Sequence, residues 1–206
     1  MPLAYYITDR KSCSIPILQQ IQQAIDASID LIQIREKDLP TRPLLALATR
    51  ALELAKGSRS RILINDRVDI ALAARLSGVQ LGHHSTEIAL VREHLTGTSL
   101  LIGASVHSMD EFVLAVAQGA NFATLGPIFA TPSKSAYGPP LGLGLLASVC
   151  ERTSIPVFAL GGIDLENCRS CLTAGAAGVA AIRMFQAPQT LDRAVGGIHD
   201  FVPTTH

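Results

Sequence analysis

The sequence has no excess of charge of either sign, because 17 lysine and arginine residues balance 17 aspartate and glutamate residues. A balanced chain gives no general reason to expect nucleic acid or an anionic membrane surface as a partner. The chain also lacks any uninterrupted apolar run approaching the roughly 20 residues that span a bilayer. We therefore expect no nucleic-acid partner and no membrane partner, and any recognition of phosphate must come from a local cluster of cations.

Targeting and cross-linking signals are also scarce. The first 13 residues, MPLAYYITDRKSC, lack the basic-then-apolar order of a signal peptide. Four cysteines in 206 residues favour reduced thiols in a cytoplasm over a disulfide framework. Cys168 and Cys171 form a C-x-x-C pair in a helix-like segment, and no second pair of zinc ligands accompanies them. We interpret both as small helix residues and expect a cytoplasmic protein.

Short apolar runs alternate with amphipathic segments along the whole chain. The predicted strands cover 4–8, 31–35, 61–65, 78–82, 100–105, 122–129, 156–161 and 178–185. Eight strand–helix units in succession indicate a parallel sheet. Eight such units favour an α/β fold, a single (β/α)8 TIM barrel that forms one domain over residues 1–206. A doubly wound open sheet is the alternative.

Polar residues follow the second predicted strand, LIQIREKD, at the end where such barrels carry their active sites. Gln33, Arg35 and Lys37 are two residues apart and share one face, while Ile32 and Ile34 share the other. The apolar face should pack under the helices, and the polar face should point into the barrel mouth. Two adjacent cations favour a phosphate or diphosphate ligand. A solvated charged loop is the alternative for the two cations.

The third and fifth predicted strands also end in polar residues. Asn65 and Asp66 follow RILI, and Asp66 is a candidate ligand for Mg²⁺ bound to a phosphate. Both residues could instead cap the helix that begins with VDIALAARL. The fifth strand ends in GASVHS, which places Ser105 and His107 at the same mouth.

Two further segments could complete an anion site. The long segment 130–142, ATPSKSAYGPPLG, follows the sixth strand and contains Thr131, Ser133 and Lys134. Long loops in compact domains are commonly binding loops. The seventh strand ends in ALGGID, where Gly161 and Gly162 allow backbone N–H groups to approach an anion closely.

Two adjacent histidines, His83 and His84, stand in the stretch VQLGHHST after the fourth strand. Neighbouring residues on an extended segment point to opposite sides and do not easily share one metal ion. The pair is therefore a weak metal motif.

Eight short pieces follow one another along the chain: YYITDR, IQIREKD, INDRVDIAL, GVQLG, IGASVHS, LGPIFATPSK, IPVFALGGI and AGAAGVAAI. In these pieces and in their order the chain resembles the thiamine phosphate synthase/TenI family. The resemblance implies the same barrel and a coupling enzyme that joins hydroxymethylpyrimidine diphosphate to thiazole phosphate and releases diphosphate. Small phosphorylated substrates and Mg²⁺ are implied with it.

The resemblance also assigns roles to residues. The matches to the family's diphosphate contacts are Gln33, Arg35, Lys37, Asn65 and Lys134. The matches on the thiazole-phosphate side are Thr131, Ser133 and Gly162, with Gly161 beside them. Asp66 matches a Mg²⁺ ligand, and Ser105 matches a residue near the reacting pyrimidine. The predicted catalytic residues are Arg35, Lys37, Ser105 and Lys134.

Four positions depart from the family pattern. The synthases usually read GVHLGQED after the fourth strand, so Gln80 replaces a histidine and Ser85 replaces the aspartate that is the second Mg²⁺ ligand. Arg183 stands where a serine usually meets the thiazole phosphate, and could either bind the phosphate or block the pocket. The TenI tautomerases carry a histidine where this chain has Pro127.

Three functions are therefore carried forward. The first is coupling with an altered Mg²⁺ site. The second is a TenI-type tautomerase that aromatises a carboxylated thiazole phosphate, with His84 or His107 as the base. The third is a catalytically silent homologue that binds a ligand or a partner. The sequence leaves open whether the chain forms a homo-oligomer.

Overall fold

The computed structural model describes residues 1–82, 84–95, 97–131 and 139–202, and within them eight strands alternate with eight α-helices. The strands are β1 (Leu3–Ile7), β2 (Leu31–Ile34), β3 (Arg61–Asn65), β4 (Gly78–Leu81), β5 (Leu101–Val106), β6 (Phe122–Leu125), β7 (Val157–Leu160) and β8 (Gly178–Ala181). The helices are α1 (Ile17–Asp26), α2 (Thr41–Leu54), α3 (Val68–Ala73), α4 (Ile88–His94), α5 (Met109–Ala117), α6 (Gly142–Glu151), α7 (Cys168–Thr173) and α8 (Leu191–His199). None of the helices in these ranges is both long enough and apolar enough to cross a membrane.

The eight strands form one closed parallel barrel. Each strand pairs with the next along the chain, and β1 also pairs with β8. Tyr5 of β1, for example, lies opposite Leu31 of β2 on one side and Ala180 of β8 on the other. The predicted (β/α)8 barrel is confirmed, and the open-sheet alternative is wrong because an open sheet would leave β1 and β8 apart.

Alternation along the strands separates two apolar layers. One layer joins strand residues such as Ile32, Ile34 and Ile64 to the inner faces of the helices. The other lies inside the barrel and comprises Tyr5, Ile7, Leu31, Leu63, Phe122, Phe158 and Ala180. Because Gln33 stands two residues beyond Leu31, it faces the barrel interior one layer nearer to the carboxyl ends of the strands. The apolar interior thus forms the floor of the candidate site.

Two strands, β6 and β8, are four residues shorter than the sequence predicts. The apolar run from 122 to 129 continues past the end of β6 at Leu125, because Pro127 has no N–H group with which to extend the ladder. The run from 178 to 185 contains only a four-residue strand, and Arg183–Phe185 form a short 3-10 helix. The residues beyond both strands therefore belong to the loops at the barrel mouth.

Candidate active site

A layer of neutral polar side chains crosses the barrel interior below the mouth. The single proton of the Tyr5 hydroxyl is shared between Gln33 Oε1 at 2.8 Å and Gln80 Oε1 at 3.2 Å. Gln33 Nε2 in turn donates to Asn65 Oδ1 at 2.9 Å. The two glutamines are almost completely buried. The structure thus brings the predicted residues Gln33 and Asn65 into direct contact and fixes the orientation of both amides.

The same layer reaches Ser105. Gln80 Nε2 donates to Ser105 Oγ at 3.0 Å and to Thr124 Oγ1 at 3.2 Å. Ser105 is half-buried, so its hydroxyl remains accessible to a ligand in the mouth. Sequence reasoning missed Tyr5 and Thr124 as parts of this layer. Their signal in the sequence was the two-residue period, which directs both side chains into the barrel.

Asp66 lies directly after β3 with a left-handed backbone, at φ +63°. Asn65 Nδ2 donates to Asp66 Oδ2 at 2.5 Å, and the Ser85 hydroxyl donates to Asp66 Oδ1. Ser85 Oγ accepts the Gly82 N–H at 2.7 Å. No side chain of the described residues caps the N-terminus of α3, so the alternative role of Asn65 and Asp66 as helix caps is wrong.

The donor set around Asp66 fits a Mg²⁺ site that has a single protein carboxylate. Each Asp66 oxygen accepts one hydrogen bond from a neutral group and keeps another lone pair. The part of the chain that the structure describes holds no group of three or more His, Cys, Asp and Glu side chains able to bind a metal. Mg²⁺ usually takes one or two carboxylates and completes its shell with waters and substrate phosphates. Ser85 supplies no second charge, because a serine hydroxyl is neutral, and its proton is donated to Asp66.

Arg35 and Lys37 follow β2 as cations without a counter-ion among the described residues. Arg35 N donates to Thr8 Oγ1 at 3.0 Å, but neither cationic group makes a hydrogen bond or ion pair with another described residue. A cavity of about 250 Å³ lies beside Lys37. Its polar lining comprises Lys37, Asn65, Asp66, Glu36 and Arg67, and its apolar lining comprises Ile34, Leu39 and Leu44. This volume is below the roughly 300–1,000 Å³ of pockets for drug-sized ligands.

Glu36, between the two cations, is buried and lines the same cavity as Lys37. Its carboxylate accepts the Thr8 hydroxyl at 2.7 Å, and it accepts both Arg10 N and Arg10 Nη1 at 3.1 Å. Arg10 also pairs with Asp38, and the guanidinium, together with the Lys11 ammonium, holds the pKa of that carboxyl well below its usual range. We call Thr8, Arg10, Glu36 and Asp38 the β1–β2 clamp. Sequence reasoning missed this clamp, which fixes the backbone that carries Arg35 and Lys37.

Gly161 and Gly162 allow the loops after β6 and β7 to pack directly on each other. Both have left-handed backbones, at φ +97° and +66°. A Cβ at Gly161 would lie 2.6 Å from Pro127 Cα, and one at Gly162 would lie 2.6 Å from the Ala130 carbonyl oxygen. Neither glycine N–H donates to an atom of the described residues. Within the described part of the chain, neither amide therefore has an acceptor.

The other predicted binding residues are placed only in part. Arg183 is exposed as the first residue of the short 3-10 helix. Thr131 is half-buried at the end of the described loop after β6. Ser133 and Lys134 lie outside the described residues.

The histidines have distinct environments. His107 Nδ1 donates to the Gly126 carbonyl, which can only accept, so the lone pair of the neutral ring is on Nε2. The backbone N–H of His107 donates to Glu111 Oε2 at 2.7 Å at the start of α5. His84 is exposed, and His83 lies outside the described residues.

The cysteines are free thiols. Burial raises the pKa of Cys171 to about 12 and that of Cys150 to about 11, and it also raises the pKa of Cys168. Such thiols are protonated at neutral pH and are poor nucleophiles. Their environment supports the interpretation of Cys168 and Cys171 as small buried helix residues.

Comparisons with known proteins identify close relatives. The family model described as "Thiamine monophosphate synthase" matches residues 4–185. A "Putative thiamine-phosphate synthase" of Geobacter sulfurreducens is 47% identical over 92% of this chain and 90% of its own. A "Thiamine-phosphate synthase" of Roseiflexus sp. is 37% identical over 87% of this chain and 76% of its own. The solved structure of a thiamine phosphate pyrophosphorylase from Pyrococcus furiosus has a TM-score of 0.83 at 32% identity, covering 95% of this chain and 96% of its own.

Proposed function

The chain belongs to the thiamine monophosphate synthase family, and from that premise we propose that it joins hydroxymethylpyrimidine diphosphate to thiazole phosphate and releases diphosphate. It is then a transferase of thiamine biosynthesis that acts on two small phosphorylated molecules. The observation that carries this proposal is the pair of cations after β2, Arg35 and Lys37, which have no counter-ion among the described residues. Lys37 lines one cavity together with Asn65 and Asp66.

In the coupling reaction, the C–O bond between the pyrimidine methylene carbon and the diphosphate breaks, and its electron pair leaves with the diphosphate. The lone pair of the thiazole nitrogen then forms the new C–N bond. Negative charge develops on the departing diphosphate, and cations held next to it lower the barrier. Arg35 and Lys37 would supply this charge from a backbone fixed by Glu36 and Thr8. Ser105 would contact the pyrimidine from the floor of the mouth.

The second substrate would bind on the opposite side of the mouth. The N–H groups of Gly161 and Gly162 can donate to a phosphate, and in barrels of this kind phosphate commonly binds at the loops after the last two strands. Arg183 is exposed at the end of β8 and would add a cation to that phosphate without occupying its place.

Mg²⁺ would be held by Asp66 together with the substrate diphosphate. When bound, the ion neutralises charge on the diphosphate and so makes it a better leaving group. Asn65 and Ser85, which donate to Asp66, would keep its carboxylate turned toward the mouth. Replacement of Asp66 by Asn should raise the Mg²⁺ concentration needed for half-maximal rate. An unchanged Mg²⁺ dependence would place the ion elsewhere.

The proposal is tested by supplying both substrates with Mg²⁺ and measuring thiamine phosphate and free diphosphate. Arg35→Ala should lower kcat by about 100-fold, because it removes charge stabilisation from the leaving group. Arg152→Ala is the matched control, since Arg152 lies at the C-terminal end of α6, on the far side of the barrel from the mouth. A wild-type protein that forms no thiamine phosphate at any Mg²⁺ concentration would contradict the proposal.

The tautomerase alternative is an arm of the same experiment. Carboxylated thiazole phosphate is offered without any pyrimidine substrate, and its conversion is followed by the change in ultraviolet absorption. Conversion in this arm alone would assign the chain to the tautomerase branch. Substrate binding without turnover in either arm would identify a silent homologue. We expect turnover only when both substrates of the coupling reaction are present, and we place this reaction in the cytoplasm.

A further inference from the structure

Gln80 is a buried amide at the centre of the polar layer and contacts three other strands. It is 2% exposed, and its Oε1 accepts from the Tyr5 hydroxyl. Its Nε2 carries two protons, and each has a hydroxyl acceptor, Ser105 Oγ at 3.0 Å and Thr124 Oγ1 at 3.2 Å. The donors and acceptors of Gln80 are thus all engaged inside the barrel.

This arrangement sets the direction of the hydrogen bonds at Ser105. Its oxygen accepts from Gln80 and, at 3.4 Å, from Thr124 Oγ1. Among the described residues, no acceptor receives the proton of Ser105 itself. Because Ser105 is half-buried at the carboxyl end of β5, that proton is directed to a ligand in the mouth.

The space around Gln80 leaves its amide little freedom. A Cβ added to the neighbouring Gly103 would collide with Gln80 Oε1, so the amide fills the place above that glycine. The side chains that hydrogen-bond to Gln80 are Tyr5, Ser105 and Thr124, and burial keeps the phenol of Tyr5 protonated by raising its pKa. A glutamine here is therefore a fixed neutral donor.

We propose that Gln80 is a positioning residue for the coupling reaction, because its donation to Ser105 commits the Ser105 hydroxyl proton to a hydrogen-bond acceptor of the pyrimidine substrate. This inference rests on the proposed function. It identifies the substrate group that Ser105 would bind: a hydrogen-bond acceptor such as a ring nitrogen, and not an N–H or O–H group.

The decisive substitution is Gln80→Glu, which keeps the shape and reverses both hydrogen bonds that Nε2 donates, to Ser105 and to Thr124. The ionised carboxylate that this variant carries only accepts, so the Ser105 hydroxyl would turn to donate to it and would be lost to the substrate. The KM for the pyrimidine substrate should rise about tenfold or more at pH 8, which corresponds to the loss of one hydrogen bond of about 1.4 kcal/mol. Gln19→Glu, on the exposed face of α1, is the matched control and should leave KM unchanged.

Two readouts separate positioning from simple structural damage. Acidification should restore the KM of the Gln80→Glu enzyme relative to wild type, because a protonated carboxyl group can again donate to Ser105. In a Ser105→Ala background, Gln80→Glu should add no further loss, since the group through which it acts is absent. Losses that multiply in the double variant, or a Gln80→Glu enzyme with wild-type KM at every pH, would overturn the proposal.

Folding and function have their own controls. Melting curves of each variant are recorded, and if Gln80→Glu does not fold, Gln80→Met replaces it. Gln80→Met removes both N–H donors without adding charge, so its KM should rise without any pH dependence and without further loss in the Ser105→Ala background. Multiplicative losses in that pair would equally overturn the proposal. Failure of the wild-type protein to form thiamine phosphate would instead refute the proposed function.

Discussion

Replacement of Glu36 by Ala should be one of the most destabilising single changes near the mouth, although Glu36 touches no substrate in the proposed reaction. Its carboxylate accepts the Thr8 hydroxyl, the Arg10 backbone N–H and the Arg10 guanidinium, at 2.7–3.2 Å. The Glu36 side chain is only 2% exposed. Its removal leaves the buried Thr8 hydroxyl and the Arg10 N–H without an acceptor.

The expected loss follows from this geometry. Breaking a buried ion pair by removing one partner costs about 3–5 kcal/mol. The Arg10 side chain is 29% exposed, so water replaces part of what is lost, and we expect a value near the lower limit, about 3 kcal/mol. For a chain of this size, each 1 kcal/mol corresponds to a shift of roughly 2–4 °C in Tm. Glu36→Ala should therefore lower Tm by about 6–12 °C.

The matched control is Asp38→Ala, which removes the other carboxylate from the same Arg10. Asp38 has a strongly lowered pKa because of its hydrogen bonds to Arg10 and Lys11, but its side chain is 43% exposed. Solvent screens such pairs, so the melting temperature should hardly change. Scanning calorimetry of the three proteins at one pH and one scan rate measures the difference. Equal shifts for the two variants would refute the assignment of stability to the buried carboxylate.

Three further predictions concern the glycines, a thiol and the polar layer. Gly161→Ala should lower the free energy of unfolding, measured with urea, by much more than Gly57→Ala does. Both glycines have left-handed backbones, at φ +97° and +80°, but only a Cβ at Gly161 would lie 2.6 Å from Pro127. Burial raises the pKa of Cys171 to about 12. Its contribution to stability is therefore complete below the unfolded-state pKa of about 8.5 and is lost as the pH rises toward 12. Cys171→Ala should flatten the fall in unfolding free energy between about pH 9 and 11, and an unchanged slope would contradict this. Tyr5→Phe should cost about 1–3 kcal/mol in the same unfolding assay, since it leaves two buried glutamine oxygens short of a donor, and a neutral effect would show that water reaches them.

The sequence predicted the barrel and the inward position of Gln33 at the end of β2, because both depend on local periodicity. The two-residue alternation in LIQIREKD places Gln33 inside and Ile32 and Ile34 outside, as the structure has them. The strand ends were less predictable where an apolar run continues into a turn. After β6 and β8 the hydrophobicity persists although the hydrogen-bond ladder has stopped.

The β1–β2 clamp could not be predicted, because its members are far apart in sequence and its central residue looks ordinary. In REKD, Glu36 stands between two cations and has the pattern of a solvated charged loop. Its burial depends on Thr8 and Arg10 at the end of the neighbouring strand, and no spacing within either segment shows that contact. Gly161 and Gly162 were predicted as anion contacts, but their close packing against the loop after β6 required the structure.

The pairing of β1 with β8 has a consequence for how the protein is made. A ribosome delivers β1 first, yet one of its two neighbours, Gly178–Ala181, follows about 170 residues later. Asp30 makes a second contact between the first strand and a late element, because its carboxylate accepts Ala4 N and lies 2.8 Å from His199 Nε2 on α8. The first strand therefore emerges from the ribosome with an exposed hydrogen-bonding edge that nothing else in the described fold covers. Closure of the barrel therefore has to wait until β8 has left the ribosome.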